Sequence, residues 1–278
     1  MFGVINMRWT SEAESAVKII PFFIRKKVRA RVEKEAAAKG KDTVTVAEVN
    51  VTKTNFLAKM ESEIKGYQLD TCFGLNGCPN QANSSEKLFE KIEAILQKAN
   101  LLTFMRKTVK GELKLHHEFR VTISDCPNAC SQPQIKDIGI LGVCMPEITK
   151  AECSMCGGCV DVCKDEAIAL DSENVTPAID FDLCLKCGMC AKECPTGTIN
   201  EGQKGFKVLL GGKLGRHPRL AKELPGIFSE EQVVGIIKAC IVFYKKKSKN
   251  GKRFAEIFTG PDFLKGKARG SSALRSFF

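Results

Sequence analysis

Long apolar runs, secretory features and histidines are scarce in this chain. No apolar stretch approaches the length of a membrane span; the best one, Val233 to Tyr244, is interrupted by Lys238. Met1 to Thr10 lacks the apolar core of a secretory leader. Gly211-Gly212 is too short to cradle a phosphate. Aromatic residues are few among the lysines and no nucleic-acid motif is present, so neither a nucleic acid nor a membrane is an expected partner. The 3 histidines, His116, His117 and His217, are not expected to bind metal or haem.

Cysteine, by contrast, is abundant, with 14 in 278 residues. Many lie two or three residues apart, too close to brace distant segments as disulfides, so metal ligation in a reducing cytoplasm is the expected setting. Cys153, Cys156, Cys159 and Cys163 form one C-x2-C-x2-C-x3-C run, and Cys184, Cys187, Cys190 and Cys194 form another, followed by Pro195. That is the spacing by which bacterial two-cluster ferredoxins hold [4Fe–4S] centres, with the fourth cysteine of each run crossing to the other cluster. One site is therefore expected to use Cys153, Cys156, Cys159 and Cys194, and the other Cys184, Cys187, Cys190 and Cys163. A looser third group is C-x5-C at Cys72 and Cys78, then C-x3-C at Cys126 and Cys130. Cys144 and Cys240 fall outside these groups, in apolar contexts that suit buried thiols.

The net charge of +11 is unevenly placed: residues 201–278 carry 17 Lys and Arg against 6 Asp and Glu, and the rest balance. A basic C-terminal region suits an acidic partner protein or an anionic cofactor. The lysines of 245–249 read as a solvated helix end or a partner surface.

Local patterns predict mixed helix and strand. Residues 1–42 read as helical, with Thr10 and Ser11 as N-cap candidates, Pro21 in the first turn of a second helix and Gly40 as its stop. Positions 24, 28, 32 and 36 make an apolar stripe. A helix ending near Gly66 precedes a strand into Cys72, and 85–98 is an amphipathic helix with Leu88, Ile92, Ile95 and Leu96 inward. From His117 to Ser124 the pattern alternates, placing Phe119, Val121 and Ile123 toward the core and Arg120, Thr122 and Ser124 opposite. Further strands are expected at 135–143 and 206–210, and a helix at 229–245. Residues 151–200 form an internal repeat of cluster loop, short helix and strand.

Three segments then carry a resemblance: Cys72-Phe-Gly-Leu-Asn-Gly-Cys78, Ser124-Asp-Cys126-Pro-Asn-Ala-Cys130 and Leu210-Gly-Gly-Lys-Leu-Gly-Arg-His-Pro-Arg219. They resemble the C-terminal half-repeat of siroheme sulfite and nitrite reductases, over residues 67 to about 260. The ferredoxin insertion looks like that of the dissimilatory and anaerobic sulfite reductases. The resemblance implies a third [4Fe–4S] cluster on Cys72, Cys78, Cys126 and Cys130, with Cys130 also bridging to a siroheme iron. It further implies that Arg120, Lys213 and Arg216 bind the anion or the siroheme carboxylates; ordinary surface charge is the alternative for each, as for Arg219. Glu118 stands where a second basic residue is usual, Tyr67 to Thr71 has no basic residue, and a helical segment occupies the place of the family's preceding half-domain. Separately, Trp9-Thr-Ser-Glu-Ala, Ile20-Pro-Phe-Phe-Ile-Arg-Lys-Lys-Val-Arg and Val44-Thr-Val46 resemble the small C-terminal domain found in one polypeptide of the dark-operative protochlorophyllide reductase.

The expected fold class is α+β. A small helical domain spans 1–50, and a sulfite reductase-like domain spans 51–150 and 201–260. A two-cluster ferredoxin is inserted at 151–200, and a mobile basic tail spans 261–278. Three [4Fe–4S] clusters are expected, with siroheme as a candidate fourth group. Two functions remain open: a low-potential oxidoreductase of the sulfite or nitrite reductase type, and an electron-transfer subunit without siroheme in a larger redox complex. Both require redox partner proteins.

Overall fold

The computed structural model describes residues 7–264. The chain divides into two units, Met1–Ile64 and Lys65–Phe278.

In the first unit, a short strand β1 (Arg8–Trp9) leads into helices α1 (Ser11–Lys18) and α2 (Phe22–Ala37). Strand β2 (Thr43–Val44) then pairs in parallel with β1, and helix α3 (Val46–Glu63) follows. Thr10 caps α1, its hydroxyl accepting from the Ala13 amide. Pro21 is the cap residue of α2, one position earlier than the first turn. Gly40 follows that helix at φ +70°, where a side chain would be strained. Ala13, Val17, Val32, Ala36, Val44 and Val49 form the core. The α2 stripe is only half buried in this unit: Val32 and Ala36 are covered, whereas Ile24 is 39% exposed. The expected domain border at residue 50 falls inside α3.

The second unit is built on a five-stranded sheet. Strand β3 (Tyr67–Thr71) is followed by helices α4 (Glu86–Lys98) and α5 (Leu101–Thr108), then by strands β4 (Phe119–Ser124) and β5 (Ile138–Ile148). The insertion supplies the short helix α6 (Gly158–Asp161), the hairpin β6 (Ile168–Asp171) and β7 (Thr176–Ile179), and the short helix α7 (Met189–Glu193). Strand β8 (Ile199–Leu210) returns to the sheet, followed by strand β9 (Lys222–Glu223) and helices α8 (Glu230–Lys247) and α9 (Phe254–Ile257). The sheet order is β3-β4-β5-β8-β9, parallel from β3 to β5 and antiparallel beyond. Register places Val121 beside Ile138 and Ile123 beside Ile140, and both β5 residues pair onward with Leu210 and Val208. These side chains share one buried face with Leu88, Ile92 and Leu96 of α4 and with Ile236, Ile237 and Tyr244 of α8. Lys238 is on the exposed side of α8, so the apolar run read from the sequence is a core helix. Among the described residues no helix is long and apolar enough to cross a membrane.

Strands β5 and β8 are longer than expected. Their outer ends pair as Pro146 with Glu201 and Ile148 with Ile199, so the insertion grows from a continuation of the core sheet. At the C-terminal end, Phe263 stacks on Phe243 with ring centroids 4.3 Å apart, and Leu264 is fully buried. Packed chain therefore extends past the expected border at 260; residues 265–278 of the expected tail lie outside the described residues.

Candidate iron–sulfur sites

The second face of the sheet is also covered. Thr122 and Ser124 of β4 are buried, against the expectation of a face turned away from the core. The loop from Cys126 to Ile135 lies over this face. A Cβ on Gly139 would stand 2.3 Å from the Pro133 carbonyl oxygen, so glycine alone permits the approach. Ser131 returns the loop to the strand: its hydroxyl donates to the Ile123 carbonyl at 2.9 Å and meets the Ser124 hydroxyl at 2.7 Å.

Three segments meet at the end of β3 and β4. The Cys72 amide donates to the Ile123 carbonyl at 3.0 Å. Its Sγ accepts from the amides of Gly74 at 3.3 Å and Asp125 at 3.2 Å. Asp125 is fully buried and organises the rest. Its carboxylate accepts from the Ser85 hydroxyl at 2.5 Å and the Gln81 side-chain amide at 2.8 Å. Its carbonyl accepts from the amides of Ala82 and Asn83. The segment after Cys78 is thereby tied to the residue before Cys126. Sequence reasoning assigned Asp125 no role; the signal was an acidic residue between an apolar strand and C-x3-C. Burial pushes the Cys126 thiol up, and the neighbouring Cys72, Cys130 and Cys78 push the same way. Cys126 is buried, Cys72 and Cys78 are intermediate and Cys130 is exposed.

The insertion repeats one geometry twice. The Sγ atoms of Cys153 and Cys184 accept from the amides of Met155 and Lys186, both at 3.4 Å. Met155 and Lys186 take left-handed φ of 53° and 62°, and Gly157 and Gly188 follow at 80° and 73°. Each loop thus curls its thiols inward before α6 or α7 begins. Cys163 Sγ accepts from the Ala167 amide and Cys194 Sγ from the Ile199 amide, both at 3.3 Å. Burial pushes Cys190 up to about 12, with Cys187, Cys184 and Cys163 adding to the shift. Burial likewise raises Cys159, with Cys153 and Cys194 as its thiol neighbours. Cys163 therefore keeps company with the second run and Cys194 with the first.

Among the described residues, no three His, Cys, Asp or Glu side chains are close enough to clasp one metal ion. A cubane asks for something else, because each thiolate binds a different iron at its own corner. Buried thiols with raised pKa values, each set met by backbone N–H donors, fit a group that supplies compensating positive charge.

The basic candidates divide. Arg120 is half-buried; one terminal nitrogen donates to the Leu115 carbonyl at 3.4 Å, and its Nε is buried without a protein partner. Lys213 is partly exposed and Arg216 is exposed, on the loop after β8. Arg219 clamps that loop, donating to the carbonyls of Gly211, Ala255 and Phe258. Lys213 and Arg219 also bridge through their backbones, so the loop is pinned at both ends. Glu118 is turned inward. Its Oε1 accepts from the amides of Lys65 at 2.8 Å and Gly66 at 3.1 Å, and its Oε2 from the Gln68 side chain at 2.8 Å. It secures the start of β3 and faces no anion pocket. Asp137 is fully buried beside Arg253, and its carboxylate accepts from the amides of Arg120 and Ala255. Burial pushes its pKa up, with Arg253 pulling it back. His116 and His117 lie near the surface with their rings tilted and 4.3 Å apart, away from any cysteine set described above.

Comparison with known proteins gives this arrangement a family. The nitrite and sulphite reductase 4Fe-4S domain matches residues 68–259. The chain belongs to that family. A second match, to the proto-chlorophyllide reductase 57 kD subunit, covers residues 9–53. The coenzyme F420-dependent sulfite reductase of Methanocaldococcus jannaschii is 32% identical over 63% of this chain and 27% of its own length. One polypeptide of the anaerobic sulfite reductase of Salmonella typhimurium is 32% identical over 36% of this chain and 26% of its own. One polypeptide of the light-independent protochlorophyllide reductase of Halorhodospira halophila is 46% identical over 18% of this chain and 10% of its own. Each match covers under a third of these relatives' length. The solved dissimilatory sulfite reductase I aligns with a TM-score of 0.47 at 16% identity, over 68% of this chain and 48% of that one. By its match to the family domain, the chain is a sulfite reductase-like iron–sulfur protein, and its elements are mixed helix and sheet.

Proposed function

We propose that this chain is a low-potential oxidoreductase in which electrons enter the insertion and pass to the site of Cys72, Cys78, Cys126 and Cys130. Three [4Fe–4S] clusters would occupy the core site, the site of Cys153, Cys156, Cys159 and Cys194, and the site of Cys184, Cys187, Cys190 and Cys163. Such clusters supply one-electron exchange at potentials set by charge, hydrogen bonds to sulfur and exposure. The observation that carries the reading is the attachment of insertion to core. From α7, Lys192 Nζ donates to the Gln81 carbonyl at 2.7 Å and the Pro79 carbonyl at 3.2 Å, just beyond Cys78. The chain's own work is to hold thiolates, donate amides to their sulfurs and exclude water from Cys126 and Cys190.

The relatives' names point to a sulfur or nitrogen oxyanion as the terminal acceptor. In that reading siroheme lies beside Cys130, whose exposure suits a shared ligand. Arg120, Lys213 and Arg216 would then bind the anion and the carboxylates. A second reading, an electron-transfer subunit without siroheme in a larger redox complex, is favoured by one observation: Glu118 and Arg219 are both spent on backbone. In either reading the basic C-terminal region would meet an acidic redox partner.

Anaerobic purification with a visible spectrum and iron count tests this. Broad cluster absorbance that bleaches with dithionite supports the oxidoreductase, and its absence refutes it. Sharp Soret and α bands with about thirteen irons select the siroheme enzyme, and about twelve irons without those bands select the carrier.

A further inference from the structure

Cys144 occupies a position the proposed function does not use. It lies on β5 where that strand passes from the core sheet toward the insertion. Its side chain is fully buried and packs in one cluster with Cys126 and Ala82. Its amide donates to the Lys186 carbonyl at 2.8 Å, and its backbone bridges in parallel with Cys187. A Cβ on Gly188 would stand 2.9 Å from Cys144 Cβ and 3.1 Å from its Sγ, so the insertion backbone is pressed onto this side chain. Cys126 belongs to the core set, and Cys187 flanks Gly188 in the second insertion set. The partition between these two sets is therefore one residue thick. Lys192 fixes the same junction independently, through Pro79 and Gln81. The other insertion set is differently placed: Cys156 is exposed.

We infer that Cys144 is a positioning residue that sets the spacing between the Cys163/Cys184/Cys187/Cys190 site and the Cys72/Cys78/Cys126/Cys130 site. The order of transfer follows. An external one-electron reductant would deliver at the Cys153/Cys156/Cys159/Cys194 site on the side of its exposed Cys156, the electron would cross to the second insertion site, and it would leave past Cys144 to the core. Each transfer oxidises one site by one electron and reduces the next by one; no bond forms or breaks. Sulfur chemistry of Cys144 is not required, only the Cβ contact with Gly188, which alanine keeps and which a side chain larger than cysteine would force apart.

The inference rests on the proposed function, and the two fail differently. Wild-type protein lacking about eight of about twelve irons would remove the insertion clusters and the inference with them. With the metal intact, the test uses the full chain, reduced viologen as donor and freeze-quenched electron paramagnetic resonance. Cys144→Leu should keep the iron, weaken the spin coupling between core and insertion, and slow core reduction severalfold, because the rate of one-electron transfer falls steeply as the distance between centres grows. Reduction of the insertion should keep its wild-type rate. Cys144→Ala, which keeps the backbone bridge, should stay close to wild type. Lys192→Met, a solvent-side change that cannot unfold the core, should weaken the coupling in the same direction and decides the matter if Cys144→Leu loses iron. Wild-type coupling and rate in Lys192→Met together with an iron-loaded Cys144→Leu overturn the inference. So does a Cys144→Ala variant as slow as Cys144→Leu, which would assign the role to the thiol.

Discussion

In the insertion, Cys153, Cys156 and Cys159 share one loop, and Cys184, Cys187 and Cys190 share its repeat; in the core, the four cysteines run from Cys72 to Cys130. The first arrangement is held by local backbone: left-handed residues at 155 and 186 and amides donated to sulfur two residues back. The second is held by tertiary structure. Cys72 and Cys126 stand at the ends of neighbouring parallel strands, and Asp125 ties the segment after Cys78 to both. Local and tertiary construction therefore fail by different mutations.

The largest expected effect is at Asp125. Asp125→Ala leaves Ser85 and Gln81 without their buried acceptor and should cost about 3 kcal/mol or more in urea unfolding. It should also remove about four irons, with the insertion keeping its own. Loss of insertion iron as well would break the comparison. Next is Glu118→Lys, which places a basic residue where the siroheme reductases usually carry one. Three hydrogen-bond donors lose their acceptor, so destabilisation of about 2–3 kcal/mol is expected, measured by the same unfolding, with no gain in sulfite binding. A stable variant that binds sulfite would show that position 118 can face the pocket. Arg219→Ala should cost about 1–2 kcal/mol by releasing the loop after β8, whereas Arg216→Ala should stay within about 0.5 kcal/mol. Equal effects would remove the distinction between clamp and free cation.

A smaller effect than that of the Arg219 clamp is expected outside both regions, in the first unit. Hydrogen bonds from Lys41 and Thr45 hold the Glu48 carboxyl down to about 2, against an ordinary 4.5. Its stabilisation is complete above about pH 4.5 and lost as pH falls through about 2. Because Lys41 is half exposed, about 1 kcal/mol is at stake, and Glu48→Gln should flatten that part of the acid-unfolding curve.

The insertion was legible because spacing alone carries it: both cysteine runs and the repeat follow from local sequence. The strand and helix pattern of the second unit was legible for a similar reason, since Phe119, Val121 and Ile123 alternate and Leu88, Ile92 and Leu96 recur at helical spacing. What escaped notice depends on long-range packing. Alternation placed Thr122 and Ser124 away from the core, but a loop returning from Cys126 buries them too. Glu118 and Arg219 read as pocket residues by position, yet each is turned onto backbone carbonyls or amides distant in sequence. The role of Asp125 depends on Gln81 and Ser85, forty and more residues earlier.

The central claim is that twelve of the fourteen cysteines form three cluster sites, two local and one tertiary. Iron and acid-labile sulfide analysis with Mössbauer spectroscopy on the anaerobically purified chain tests it most directly. The account predicts about twelve irons per chain, all in [4Fe–4S] clusters apart from any siroheme iron, falling to about eight in Cys126→Ala. About eight irons in the wild type, unchanged by Cys126→Ala, would contradict it.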